Sequence, residues 1–225
     1  MRKKIALSII LIALFLQTKS QSNAVEFGIN GGMNINSASG ASIIKEHNNS
    51  LTGFNIGGHL KIKTSDHFGI KAKLQYDQMG WAYRSLTFSN NTGTGLAEGD
   101  VLYKLSYLNI PVLAEYSFGN RIKFNAGAGF FFGILLNNQL ITKIKDGTNS
   151  NPVTTKSNSK SMRSANFGIS LGAGLQIPIS PKIKLDLNLH DNYGLSGIGK
   201  PLEGTPRNEI KTNSFSINSG FTFLL

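Results

Sequence analysis

The sequence predicts an all-β fold, an eight-stranded antiparallel up-and-down barrel, and three observations carry that prediction. Apolar residues recur at every second position in segment after segment, while helical periodicity is scarce. The connections between these segments alternate strictly between long and short. Glycine is abundant, with 25 among 225 residues, and in the alternating segments it gathers on the face opposite the apolar one.

The first element is not part of the barrel. Met1-Arg2-Lys3-Lys4, the apolar run Ile5 to Leu16 and the small residues Thr18 and Ser20 have the order of a secretory signal, assigned to residues 1–20. The run is too short for a membrane-spanning helix, which needs about 20 residues. The barrel domain then occupies residues 21–225, and its strands are drawn at 25–36, 52–64, 68–82, 101–117, 121–137, 163–178, 182–193 and 210–225.

In the third strand Phe68, Ile70, Ala72, Leu74 and Tyr76 oppose Gly69, Lys71, Lys73, Gln75 and Asp77. The fourth and fifth form a hairpin in which Leu108, Ile110, Val112, Ala114 and Tyr116, then Ile122, Phe124, Ala126, Ala128, Phe130 and Phe132, make the apolar face. Asn109, Glu115, Lys123, Asn125, Gly127 and Gly129 make the other face, where Glu115 and Lys123 are expected to pair across the turn. Pro111 lacks a ladder donor, so a bulge or a weakened pairing is expected there. The sixth strand sets Phe167, Ile169, Leu171, Ala173, Leu175 and Ile177 against Gly168, Ser170, Gly172, Gly174 and Gln176. The seventh sets Ile183, Leu185, Leu187 and Leu189 against Lys184, Asp186, Asn188 and His190. The last carries Phe215, Ile217, Phe221, Phe223 and Leu225 in one phase.

Short connections at Ser65-Asp66-His67, Phe118-Gly119-Asn120 and Ile179-Ser180-Pro181 contain the residues that tight reversals need. Long polar ones span 37–51, 83–100, 138–162 and 194–209. In an antiparallel array all the long loops emerge at one end, which is the pattern of a transmembrane barrel of the outer membrane. Lipid tolerates only a closed sheet, and eight strands enclose a space that side chains fill. Alternation alone also fits a secreted lipocalin-like carrier of an apolar ligand, but the glycine-rich polar face, the loop pattern and the absence of a Gly-x-Trp near the mature N-terminus favour the membrane.

Cysteine is absent, which excludes a disulfide framework. Without residues 1–20 the chain keeps 19 basic against 12 acidic residues. In an exported protein this surplus points to outer-membrane lipid and anionic surface glycolipid before nucleic acid, which is not expected as a partner. Loops 83–100 and 138–162, the latter with Lys143, Lys145, Lys156 and Lys160, are the candidate contacts for a protein partner.

On the polar faces Glu26, Lys61, Lys63, Lys71, Lys73, Asp77, Glu115, Lys123, Lys184 and Asp186 are expected to form an ion-pair network in the lumen, because buried charges need partners. Trp81, Tyr83, Tyr103 and Tyr107 are expected to form an aromatic girdle at the outer interface. His59 and His190 face inward, His47 and His67 lie in connections, and none has metal-ligand spacing, so no metal or cofactor is expected. A hydrolase acting on lipid, built on His190 with Ser196 or Asp191, lacks a nucleophile motif, and no catalytic residue is assigned.

Tyr107-Leu108-Asn109-Ile110-Pro111-Val112-Leu113-Ala114-Glu115-Tyr116, followed by Ala126-Gly127-Ala128-Gly129, resembles the corresponding strands of the outer-membrane barrel family typified by PorT. Phe27-Gly28-Ile29-Asn30-Gly31-Gly32-Met33-Asn34 is similar to that family's opening strand, and there is a looser likeness to small barrels related to the OmpA membrane domain. Glu115 departs from the family's usual Lys, and the chain ends in Leu224-Leu225 where an aromatic is usual. The resemblance implies the eight-stranded barrel over nearly the whole mature chain, and, through PorT itself, a part in protein export.

Overall fold

The computed structural model describes residues 25–40, 48–89, 96–145, 153–157, 162–199 and 210–225, so the expected signal lies outside the described residues. The strands are β1 (Val25–Ser39), β2 (Asn48–Lys63), β3 (Phe68–Ser89), β4 (Leu96–Phe118), β5 (Lys123–Lys145), β6 (Val153–Ser157), β7 (Ala165–Pro178), β8 (Ile183–Gly194) and β9 (Lys211–Leu224). Eight of them form a ring in which each strand pairs antiparallel with the next, β5 pairs with β7, and β9 returns to β1. β6 stands outside the ring, laid against the upper part of β5.

The expected strands are all present; β1 and β2 run about three residues longer than expected, and β3, β4 and β5 six or seven. β3, β4 and β5 have 22, 23 and 23 residues, against 12 to 16 for the other ring strands. Much of the expected loops 83–100 and 138–162 is therefore strand. Since about 9–11 tilted residues cross a bilayer, these three strands rise far beyond it as one continuous sheet on the long-loop side, with β6 on its flank. The termini of the ring, at Val25 and Leu224, lie at the opposite, short-turn end.

The short turns follow from local chemistry. In the β4–β5 turn Gly119 has φ +101°, and a Cβ there would lie 2.4 Å from the Ile122 carbonyl oxygen, so only glycine fits. In the β2–β3 turn the Ser65 hydroxyl accepts from the Phe68 N–H at 3.1 Å.

The two faces sort as the alternation requires. Met33, Ile56, Phe130 and Ile217 point outward and are 60–67% exposed. So wide an apolar belt is stable only against lipid. Asn30, Lys71, Gln75, Ser170, Asp186 and Thr222 point inward and are buried. This overturns the lipocalin-like alternative, which needs the apolar face inside. Among the described residues no helix is long and apolar enough to cross a membrane; the strands cross it.

At Pro111 the structure shows the weakened pairing and not the bulge. The β3–β4 ladder lapses between Ala72↔Val112 and Gln75↔Asn109, opposite Pro111 and Ile110, yet resumes in the same register. The β4–β5 ladder runs unbroken through Pro111↔Phe131. Irregularities in register fall higher up: between Ser50 and Asn55 on β2, between Tyr83 and Leu86 on β3, and between Ser106 and Tyr107 on β4, where Leu136 of β5 is the extra residue. At the second of these Ser85 adopts φ +56°, and its N–H donates to Asp100 Oδ1 at 3.1 Å, which offsets part of the cost of that conformation.

Candidate functional site

The inward side chains form two layers. The layer toward the short turns is ionic. Lys61 of β2 and Lys71 of β3 face each other directly in the ladder, where like charges repel. Glu115 of β4 resolves the conflict: it accepts from Lys61 and, at 2.9 Å, from Lys71, while Lys61 also donates to the Ser117 hydroxyl at 2.9 Å. All three charged residues are buried. A second clamp centres on Glu26 of β1, which is fully buried and accepts from Lys63 at 2.8 Å and from Lys184.

The remaining charged members of the expected network are held differently. Asp77 accepts from the Asn109 amide and Asp186 from the Thr222 hydroxyl, with His59 Nε2 3.9 Å from Asp186 and 3.0 Å from Thr222 Oγ1. Lys73 is buried and makes no ion pair with a carboxylate among the described residues. Lys123 does not pair with Glu115. It sits half-buried opposite Gln176 of β7, because Glu115 turns toward the adjacent β3 and the β2 beyond it while Lys123 lies at the turn on its other side.

The layer toward the long loops is apolar, and here the sequence reading needs correction. Trp81, Tyr83 and Tyr107 are not a lipid-facing girdle: they are 1%, 8% and 0% exposed and pack inside with Met79 and Leu105. Tyr103, only partly buried, stacks on Trp81 at 4.8 Å between ring centroids and meets Tyr83 edge-on at 5.9 Å. The signal was available, since Trp81 and Tyr83 share the parity of Lys71 and Lys73, and Tyr107 that of Asn109 and Glu115. The interface preference of Trp and Tyr competes with parity here, and parity decides the face.

Chain from above the barrel folds down onto this cluster. Met162 bridges Gly199, the Arg163 N–H donates to the Ile198 carbonyl at 2.7 Å, and the Ile198 N–H donates to the Ile210 carbonyl at 2.8 Å. Met162 and Ile198 are thereby buried against Trp81 and its neighbours. Sequence reading missed both, because a single apolar residue in a polar loop carries no periodicity. It also missed the ring of buried amides, among them Asn34, Asn55, Asn166, Asn192 and Asn218, which parity would have found.

Trp81 is the only tryptophan, so its position can be read directly. In vesicles, lipids brominated near the headgroups should leave its emission nearly unquenched; strong quenching would return it to the lipid boundary.

The residues considered for a hydrolase do not converge. His190 Nε2 lies 2.9 Å from the Ser170 hydroxyl, which donates to Asn192 Oδ1 at 2.8 Å, all deep in the lumen. Ser196 instead donates to Asn166 Oδ1 at 3.1 Å and accepts from the Phe167 N–H, and Asp191 lies on the opposite face of β8 from His190. Among the described residues no group of His, Asp or Glu could hold a metal ion.

With the ring, the outward apolar belt and the lumen described, the chain can be set beside known proteins. Several solved outer-membrane proteins are similar in structure. Neisserial surface protein A is 15% identical, with 88% of this chain and 97% of that one covered and a TM-score of 0.44. OprG of Pseudomonas aeruginosa is 12% identical over 90% and 97%, with a TM-score of 0.45. Outer membrane protein W of E. coli is 11% identical over 91% and 100%, with a TM-score of 0.48. No curated protein matches the chain. The model of the outer membrane protein β-barrel domain matches residues 15–199, and the chain therefore belongs to that family, an outer-membrane protein that crosses the bilayer as a closed antiparallel barrel.

Proposed function

We propose that this protein is a non-enzymatic surface barrel whose lumen carries no flux and whose tall β3–β6 sheet presents a binding surface for a protein partner in the cell envelope. The observation that carries this reading is the asymmetry of the wall: three adjacent strands run to 22 or 23 residues while the lumen beneath them is filled by two layers of side chains. A transport role gains nothing from such a wall, whereas a rigid sheet lifted clear of the headgroups offers polar side chains in fixed positions. Exposed Arg84, Lys143 and Arg163 near this end give it a positive cast, which suits contact with anionic surface glycolipid as well as an acidic partner.

The Tyr107–Tyr116 strand and Ala126–Gly129 support a PorT-like place within the family, and assembly with an export apparatus is the form that partner binding takes in that reading.

Replacing Arg84–Gly99 by a two-residue turn tests the proposal. The shortened protein should keep its heat-modifiable gel mobility and lose the protein that co-purifies with the full chain in mild detergent. Retention of that protein, or stepwise conductance of the intact barrel in a planar bilayer, would sink the reading.

A further inference from the structure

The outward face of β7, β8 and β9 carries one charged side chain within the lipid belt. Asp191 of β8 stands between Leu171 of β7 and Phe215 of β9 in the ladders, with exposed Leu189 below it. It is not at the edge of the belt: exposed Tyr193 and Leu195 follow it on β8, and exposed Ile169 and Phe167 stand above Leu171 on β7. A carboxylate facing lipid is costly and is kept where it has a partner. The protein supplies only a neutral one. The Asn213 amide donates to it, Oδ1 has no hydrogen-bond partner, and among the described residues no lysine, arginine or histidine pairs with it. The side chain is partly exposed, so a counter-charge can approach from the lipid side.

The wall below Asp191 is hollowed. Leu189 and Ile217, one step toward the short turns from Asp191 and Phe215, border an apolar groove of about 820 Å³ that reaches Ala173, Ala126 and Gly31 on the neighbouring strands. A groove for hydrocarbon with a carboxylate at its upper end is complementary to a lipid with a cationic headgroup. A metal ion needs more oxygen ligands than Asp191 and Asn213 supply. A second copy presenting this same face offers no cation at this depth, because the outward residues of β7, β8, β9 and β1 include no lysine or arginine below Lys211.

We propose that this face binds one lipid of the outer leaflet, its protonated primary amine paired with Asp191 and its acyl chain in the groove. The site lies on the low wall, away from the tall β3–β6 sheet, and does not depend on the partner surface there.

Native mass spectrometry of the full barrel in mild detergent, titrated with dioleoyl phosphatidylethanolamine or dioleoyl phosphatidylglycerol, reads the site. The amine lipid should bind about fivefold more tightly, the factor that one partly shielded ion pair supplies. Asp191→Asn should keep heat-modifiable mobility and lose the preference. Asp66→Asn, at an exposed short turn, should retain it. Ala173→Phe places a ring outward into the groove, where lipid tolerates it, and should weaken both lipids alike. Equal binding of the two lipids, a preference that survives Asp191→Asn, binding unchanged by Ala173→Phe, or a dimer that Asp191→Asn splits would overturn the proposal.

Discussion

Replacing Glu115 by Gln should cost the barrel about 3–5 kcal/mol, because it leaves Lys61 and Lys71 buried face to face without the carboxylate that joins them. Urea unfolding from vesicles, followed by Trp81 emission, measures the loss. The attribution to charge has its own check: adding Lys61→Met and Lys71→Met to a Glu115→Leu chain should recover most of the stability, since an apolar trio of similar volume needs no counter-ion. A Glu115→Gln barrel as stable as the parent would show that the clamp contributes nothing. The loss should appear at neutral pH and be insensitive to added salt, because all three groups are shielded from solvent.

Trp81→Ala should have a comparable cost, about 3–5 kcal/mol, by leaving a cavity among Met79, Tyr103, Tyr107 and Ile198. The cost is confined to the upper layer, so the Glu115 clamp should persist while the segments around Met162 and Ile198 loosen. Hydrogen exchange should show this as faster exchange of the Arg163 and Ile198 amides, with those of β3 near Lys71 unchanged. Trp81→Phe should recover much of the loss. A Trp81→Ala chain with parental stability would mean that the aromatic layer is ornament to the fold.

The fold was legible because lipid imposes a strict rule. Wherever a strand crosses the bilayer, its outward residues must be apolar, and the alternation from Phe68 to Asp77 or from Phe167 to Ile177 records that pressure residue by residue. Above the bilayer the pressure ends. Arg84-Ser85-Leu86-Thr87 and Gln139 to Lys143 are strand with no sustained apolar period, Leu86 alone of the first four packing against the aromatic cluster. Their pairing is set by neighbours and not by a pattern, so they read as loop, and β6 likewise.

The site was legible only in part. Parity places the lysines and acids inside, but partner choice depends on the register between neighbouring strands, which sets Glu115 beside Lys71 of β3 and Lys61 of β2 and not beside Lys123. The sequence separation of 54 residues between Lys61 and Glu115 hides that contact from local reading. The aromatic layer is hard to read for a different reason: Tyr and Trp prefer the interface in general, and that preference masks the inward parity of Trp81, Tyr83 and Tyr107.

The extra residue at Leu136 has a consequence for how β5 can be read at all. Below it, odd numbers point inward, as at Asn125 and Phe131; above it Asn138 is buried and Asn137 exposed. The strand thus carries two reading frames joined at a single inserted letter. Inside and outside are not properties of a residue there but of its count from that letter, and the portion in lipid can keep its frame while the portion above it is rewritten.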